Sequence, residues 1–311
     1  MKGRFTAESV TGVEGFDVII TGGNSGIGFE AARVLAARGA RVVLACRDAA
    51  RGEAARARIA AETEGAAVTV QPLDLADLAS VSSFADRFSG EHASLEVLIN
   101  NAGVMALPQR KTVDGFEMQL GTNHLGHFAL TAALFPVLFA APGSRVVTVS
   151  SLIHKPYRFP IDDPMSEQKY EPWRAYAASK LANVYFMREL DRRLTLMEST
   201  MISIACHPGY SATNLTTPGM RASGFFSRVA ASVGDKLLAQ TAAKGALPIL
   251  FAAASPDARG GTMIGPNGIG EMRGYPAEVP LAKQAFDEAM AARIWKLSEE
   301  LTGALFAGLP E

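Results

Sequence analysis

The apolar residues of this chain fall into short, β-branched runs that are separated by longer stretches with helical spacing. Several runs, such as the one at 18–20, are apolar on successive positions instead of alternating. That pattern is typical of strands buried on both faces, as in a parallel sheet covered by helices. We therefore predict an α/β fold, doubly wound, with a seven-stranded parallel sheet flanked by helices. The predicted strands are 17–21, 41–46, 68–73, 95–99, 145–149, 202–205 and 262–264, and the predicted helices include 27–38, 49–62, 78–88 and 122–139.

We expect one domain over 1–311, because no repeat, low-complexity tract or Pro/Ser-rich linker interrupts the chain. Two insertions break the alternation of strands and helices. One, at 152–175, is rich in Pro, Asp and Tyr, and the other, at about 211–240, carries several large apolar residues. Residues from about 271 to 311 form a C-terminal extension beyond the last predicted strand.

Composition and charge narrow the class of protein. With 48% hydrophobic and 20% charged residues and a net charge of −1, the chain has no basic field for nucleic acid. The two cysteines, Cys46 and Cys206, lie in apolar runs and are predicted to be buried free thiols. The first 17 residues lack the apolar core of a signal peptide, and no run of 18 apolar residues predicts a membrane span. We expect a cytoplasmic protein.

A glycine-rich loop, TGGNSGIG, joins the first predicted strand to the first predicted helix. Glycines allow a tight turn and close approach to a pyrophosphate, and the helix N-terminus offers free N–H groups to it. The spacing of Gly22, Gly26 and Gly28 differs from G-x-G-x-x-G, and no Gly-Lys-Ser/Thr follows as in a P-loop. In isolation, these glycines would also fit an ordinary turn. Their position in a β-α-β unit indicates a Rossmann-type dinucleotide site.

The end of the second predicted strand bears on the choice of nucleotide. An acidic residue there accepts hydrogen bonds from a ribose 2′-OH, whereas an arginine binds a 2′-phosphate. Arg47 is the first charged side chain after the strand, which favours NADP(H) over NAD(H). The alternatives are that Arg47 is an ordinary loop residue and that the adjacent Asp48 serves NAD(H).

Tyr176 and Lys180 lie four residues apart in the stretch WRAYAASKLAN, so on a helix they share one face. An ammonium beside a phenol is expected to lower the pKa of the phenol. The alternative is an amphipathic helix whose lysine simply reaches solvent. His124 and His127 are also helically spaced, but no third ligand is evident, so we predict a structural pair and no metal site.

The motifs occur in an order that resembles the short-chain dehydrogenase/reductase family. They are TGGNSGIG, NNAG at 100–103, Ser151, Tyr176-x-x-x-Lys180 and HPG at 207–209. The resemblance runs from about residue 17 to 274. ACRD, INNAGVM, TNHLGHFAL, SKLAN and GPNGIGEMRGYP resemble its retinol-dehydrogenase-like and WW-domain-oxidoreductase-like branch, which includes bacterial reductases. Protochlorophyllide reductases are related, but a cysteine follows Pro-Gly in them, where this chain has Tyr210.

The resemblance implies a role for each matching residue. Tyr176 would be the general acid or base, Lys180 would tune it, and Ser151 would orient the carbonyl. Asn123 would hold a water that relays protons from Lys180. The implied cofactor contacts are Gly22, Asn24, Ser25, Gly26, Ile27, Gly28, Arg47, Asp74, Leu75, Asn101, Ala102, Gly103, Tyr176, Lys180, Pro208, Gly209 and Thr213. Among these residues, Pro208, Gly209 and Thr213 would hold the nicotinamide carboxamide. From the sequence alone, Asp74 could instead be a turn or capping acid.

We therefore predict an NADP(H)-dependent oxidoreductase that interconverts a carbonyl and its alcohol. The apolar residues of 211–240 predict a substrate lid and so a lipophilic ketone, aldehyde or alcohol. The alternatives are a protochlorophyllide-reductase-like C=C reductase, a nucleotide-sensing homologue without catalysis and, ranked low, a sugar-nucleotide epimerase or dehydratase. Members of the family often form homodimers through the helices that bear Asn123 and Tyr176, and the resemblance allows the same here.

Overall fold

The protein is built around one twisted sheet. The computed structural model describes residues 4–210 and 240–310 of the chain. Within these residues the sheet has eight strands in the order β3-β2-β1-β4-β5-β6-β7-β8, and only β8 is antiparallel to its neighbour. The strands are β1 Asp17–Thr21, β2 Arg41–Cys46, β3 Val68–Pro72, β4 Val97–Asn100, β5 Arg145–Val149, β6 Ile202–Cys206, β7 Met263–Pro266 and β8 Pro276–Val279.

The predicted doubly wound α/β architecture is confirmed, but the predicted strand number is wrong by one. The chain turns back after β7 and adds β8 at the edge, with Met263 opposite Val279. The sequence of β8, PAEV, is short and begins with proline, which restricts strands to edges. It therefore carries no signal of a buried strand.

Helices cover both faces of the sheet, and successive strand residues feed opposite cores. Val18 and Ile20 belong to one core, and Ile19 between them belongs to the other. One face carries α1, α2, α6 and α7; the other carries α3, α4, α5 and α8. The helices are α1 Gly26–Ala37, α2 Ala49–Glu62, α3 Leu78–Glu91, α4 Met118–Ala140, α5 Pro172–Leu196, α6 Ala242–Gly245, α7 Leu247–Ala254 and α8 Glu288–Thr302.

The long helix α4 is the one helix among the described residues with the length and hydropathy to cross a membrane. Of its most apolar window, 78% is buried inside the protein, where it packs against α3, α5 and α8. Core helices combine these properties because they are apolar on every side.

The C-terminal extension folds back onto α4 and α5. Trp295 of α8 lies 5.1 Å from Phe128 of α4 and 5.9 Å from Phe186 of α5, measured between ring centroids. Phe306, beyond α8, closes the cluster at 4.7 Å from Trp295. Buried aromatic clusters of this kind contribute strongly to core stability. The extension is therefore part of the core of the domain.

Candidate active site

The glycine loop packs against the segment after β4, at the point where the strand order reverses. A Cβ on Gly28 would lie 2.5 Å from Asn101 Nδ2, and Gly22 and Gly26 have φ angles of +65° and +59°. Asn101 Nδ2 donates to the Thr21 carbonyl at 2.8 Å. The glycines are thus required for close approach and for left-handed backbone, as the sequence indicated.

Two groups of polar atoms at this loop have hydrogen-bonding capacity left for a dinucleotide. The buried Asn101 Oδ1 has no hydrogen-bond partner among the described residues, so it is ready to accept from a hydroxyl. Ser25 precedes α1 without capping it through its side chain, which leaves the first N–H groups of α1 for an anion. Asn24 and Ile27 are half-buried around this loop, and Ser25 is exposed. The residues present therefore fit the phosphates and ribose of the predicted cofactor.

Thr21 and His127 fasten the loops around this site. Asn101 and Ala102 each donate a backbone N–H to Thr21 Oγ1 at 2.9 Å. His127 Nδ1 faces the Asn123 carbonyl at 3.0 Å, so this nitrogen carries the proton. His127 Nε2 then accepts from Thr21 Oγ1 at 2.9 Å. Sequence reasoning recognised His127 as structural but missed this link between strand and helix.

At the end of β2, Arg47 and Asp48 have different surroundings. Arg47 is exposed beyond the strand. The Asp48 carboxylate caps α2, since its Oδ1 accepts from the Arg51 N–H at 3.0 Å. This hydrogen bond satisfies one of the free N–H groups at the start of α2 and holds the Asp48 carboxylate at the helix.

After β3, Asp74 forms a turn and Leu75 lies under α4. Asp74 Oδ1 accepts from the Ala76 N–H at 3.0 Å, while Asp77 caps α3. Leu75 is buried, and a Cβ on Gly126 would lie 2.3 Å from its carbonyl oxygen. The alternative that Asp74 is a turn acid is thus supported, and its second carboxylate oxygen is not part of that turn.

Helix α5 brings the predicted catalytic residues to the carboxyl end of β5. Glu171 caps α5 by accepting from the N–H groups of Trp173 and Arg174, and Pro172 occupies the first helical position. Ser150 donates to the Lys180 carbonyl at 2.7 Å, which ties the helix to the strand end.

Tyr176, Ser151 and Lys180 lie together at the carboxyl end of β5, where Tyr176 and Lys180 are buried and Ser151 is half-buried. The Ser151 hydroxyl lies near the Tyr176 phenol and lowers its pKa, and its oxygen accepts from the Ile153 N–H at 3.5 Å. Lys180 Nζ lies 5.9 Å from the Tyr176 ring centre and donates to the Val149 carbonyl at 3.0 Å. Tyr176 and Lys180 are only 7% and 4% exposed, so their charges would act in a low-dielectric setting.

Burial shifts both titrations away from the charged forms. It raises the pKa of Tyr176 to about 12, against the opposing effect of the Ser151 hydrogen bond. It lowers the pKa of Lys180 to about 8. Burial thus raises the pKa of Tyr176 overall, and the lowering expected from Lys180 stays a prediction. Desolvation dominates because the phenol is almost fully buried.

Asn123 lies in a π-helical turn of α4, Gly121–Leu125, next to Lys180. Its side chain is fully used: Oδ1 accepts from the Val104 N–H at 2.8 Å, and Nδ2 donates to the Val104 carbonyl and Ser179 Oγ at 2.9 Å. A Cβ on Gly103 would lie 3.0 Å from Asn123 Oδ1. The Asn123 carbonyl accepts from His127 Nδ1 at 3.0 Å, and the proton-relay water predicted at Asn123 stays a prediction.

The segment after β6 docks on the turn between β7 and β8. Gly209 has a φ of +64°, and a Cβ there would lie 2.4 Å from the Met272 carbonyl oxygen. Pro208 is half-buried beside it. Thr213 and, apart from Gln240, the predicted lid at about 211–240 lie outside the described residues.

The two cysteines and the four buried histidines are neutral structural groups. Burial raises the pKa of Cys46 and Cys206 to about 11 and about 12, which confirms them as buried thiols. His124 Nε2 donates to Ser298 Oγ at 2.8 Å and so joins α4 to α8.

We expect the fold to lose stability in mild acid because of these histidines. Burial lowers the pKa of His124, His154 and His207 to about 4 and that of His127 to about 3. The unfolded chain takes up these protons near pH 6.5, so the stabilisation is present above that pH and is lost as pH falls towards 4. The melting temperature should fall steadily from pH 7 to 5, and a flat profile would contradict this.

Comparison with known proteins agrees with the motifs. The short chain dehydrogenase family model matches residues 17–222. Human retinol dehydrogenase 12 is 50% identical over 192 residues, which cover 62% of this chain but only 60% of that protein. Mouse retinol dehydrogenase 14 is 40% identical over 308 residues, 94% of this chain and 87% of that protein.

A crystal structure of an uncharacterised protein from Mycobacterium paratuberculosis superposes with a TM-score of 0.80. It is 44% identical, and the match covers 98% of this chain and 99% of that one. The chain therefore belongs to the short-chain dehydrogenase family of NAD(P)-dependent oxidoreductases acting on CH–OH and C=O groups, within its retinol-dehydrogenase-like branch.

Proposed function

We propose that the protein is an NADP(H)-dependent oxidoreductase that interconverts a lipophilic ketone or aldehyde and its alcohol. One observation carries this proposal: the buried Tyr176 phenol lies near the Ser151 hydroxyl, with the buried Lys180 ammonium on the same helix face. A buried phenol, a hydroxyl and a cation at one strand end form a site for polarising a carbonyl and moving a proton to its oxygen.

Each side chain has a distinct task in this proposal. The bound nicotinamide supplies or accepts the hydride. Ser151 donates a hydrogen bond to the carbonyl oxygen and so orients it towards Tyr176. Tyr176 gives its proton to the oxygen as the alcohol forms, or removes it in the reverse direction. Lys180 stabilises the phenolate that is left, because opposite charges attract strongly in a dry site.

The pKa directions suit reduction at neutral pH. With a pKa near 12, Tyr176 carries its proton, and with a pKa near 8, Lys180 is mostly an ammonium. The acid and the cation are therefore both in the form that reduction needs. Oxidation needs a phenolate, and this is the direction in which the Lys180 charge matters most.

NADP(H) is preferred in this proposal because Arg47 is free to meet a 2′-phosphate while Asp48 caps α2. Replacing Arg47 by alanine should raise the KM for NADPH about tenfold or more, with little change for NADH, because a charge-assisted hydrogen bond contributes about 1.5–3 kcal/mol. Arg51→Ala, on the exposed start of α2, is the matched control. Equal losses for both cofactors would contradict the assignment.

The substrate class rests on the apolar residues predicted for the lid and on the relatives. The lid proposed at 211–240 carries Met220, Phe225, Phe226, Val229, Leu237 and Leu238. Relatives named retinol dehydrogenases match the chain, so retinal belongs in any panel of test carbonyls. Apolar side chains around a carbonyl favour lipophilic substrates.

The first test is NADPH consumption with a panel of lipophilic ketones and aldehydes, run in parallel with NADH. Turnover with NADPH supports the proposal. Tight NADPH binding with no turnover of any carbonyl would instead favour a nucleotide-sensing protein that has kept the fold.

We also propose that the protein is cytoplasmic and that residues 1–311 form one domain. We further propose that two copies do not dimerise through α4 and α5. Helix α8 of the same chain already packs on both of these helices, through Trp295 and Ser298. The homodimer that the resemblance allows would have to displace α8 or use another surface. Size-exclusion chromatography with light scattering reports the assembly.

A further inference from the structure

A cluster of charged and titratable side chains behind the site is not used by the mechanism above. His207 directly follows β6, Glu271 lies in the turn between β7 and β8, and Lys155 follows the turn that begins at Ser151. Glu271 Oε2 lies 3.0 Å from His207 Nε2, and Glu271 Oε1 lies 2.5 Å from Lys155 Nζ. One carboxylate therefore joins the segments that follow β5, β6 and β7.

The hydrogen bonds fix the protonation of His207. The Gly209 N–H donates to His207 Nδ1 at 3.2 Å, so this nitrogen is an acceptor and carries no proton. The proton is on Nε2, which donates to Glu271. The fully buried ring is thus neutral and connects the Glu271 carboxylate to the backbone of the segment after β6.

The backbone around Glu271 is held in an unusual conformation. Glu271 has a φ of +57°, in the left-handed region that side-chain-bearing residues rarely adopt. The next residue, Met272, accepts from the Tyr210 N–H through its carbonyl at 2.7 Å. A residue kept in a strained conformation is maintained by its surroundings, and such residues cluster at ligand clamps. Glu271 adopts this backbone conformation while its side chain lies between its two partners.

We propose that Glu271 is a positioning residue that sets the affinity of the site for the nicotinamide half of the cofactor. It does so by holding the segment 208–210 through His207 and by holding the Ser151 turn through Lys155. The proposal rests on the proposed function in one respect, the assignment of Pro208 and Gly209 to the nicotinamide. A carboxylate is needed because one partner is a cation and the other an N–H donor.

The test compares Glu271→Gln with Glu278→Gln, a control on β8 whose carboxylate pairs with Arg259 at the surface. Two ligands are titrated: NADPH, and 2′,5′-ADP, which lacks the nicotinamide half. Glu271→Gln should weaken NADPH binding about tenfold, the equivalent of one charge-assisted hydrogen bond, and leave 2′,5′-ADP binding within about twofold. The control should change neither.

Equal weakening of both ligands, or no weakening of NADPH, would overturn the proposal. Lys155→Met is a second variant that leaves the Glu271–His207 pair in place, and it should weaken NADPH binding by about threefold with the same selectivity. Because these are binding measurements, they stay readable if the wild-type protein binds NADPH but reduces no carbonyl. That result would overturn only the proposed reaction.

Discussion

Tyr176→Phe is expected to slow carbonyl reduction by about a thousandfold, within the range of 10²–10⁴ that general acid catalysis contributes. The variant loses only the hydroxyl that lies near Ser151, and the ring keeps its edge-on contact with Trp173 at 6.2 Å. The fold and the cofactor site should therefore stay intact. Steady-state kinetics with saturating NADPH and the best substrate of the panel measure the effect.

Tyr185→Phe is the matched control for this experiment. Tyr185 is also buried on α5, but its hydroxyl donates to the Gln284 carbonyl at 2.9 Å in the C-terminal extension. Its loss should cost about 1 kcal/mol of stability and leave the rate of reduction nearly unchanged. A Tyr176→Phe rate within tenfold of wild type would contradict the assignment of Tyr176 as the general acid.

Lys180→Met should lower kcat/KM by about a hundredfold or more, since the variant removes a buried charge beside the reacting proton. Wild-type kcat/KM for NADPH should also fall as pH rises through about 8, because the Lys180 ammonium loses its proton there. The kcat/KM of Lys180→Met should not show this fall near pH 8.

The pH profiles of wild type and Lys180→Met, taken over pH 6 to 10, separate this account from a purely structural role. A structural lysine would lower the rate at every pH and leave the shape of the profile unchanged. The same fall near pH 8 in both proteins would therefore contradict the assignment. Binding of 2′,5′-ADP serves as the control for an intact nucleotide site.

Much of the fold follows from local pattern, and the parts that do not are set by contacts between distant residues. The β-branched runs predict the seven parallel strands because burial on both faces demands apolar residues at every position. β8 has no such run, since it is an edge strand with Glu278 exposed to solvent. The docking of α8 on α4 also leaves no local signal, because Trp295 and Phe128 are far apart in sequence.

The features of the site also divide into those that the local sequence predicts and those that depend on contacts between distant residues. The glycine loop and the Tyr176–Lys180 spacing are visible in sequence because the backbone turn and the helix repeat impose them. The capping role of Asp48 has a local signal, its position directly before α2, which could have been used. The Glu271–His207 pair could not be found this way, since 64 residues separate the partners and only the β7–β8 turn brings them together.

The most direct measurement of the central claim is the fate of the hydride. The carbonyl is incubated with NADPH that is deuterated at C4, on either face, and the product is analysed by mass spectrometry and NMR. The account predicts an alcohol with deuterium on the carbinol carbon from one of the two labelled cofactors, and loss of this product in Tyr176→Phe. Deuterium on a former C=C carbon, or alcohol without deuterium, would contradict it.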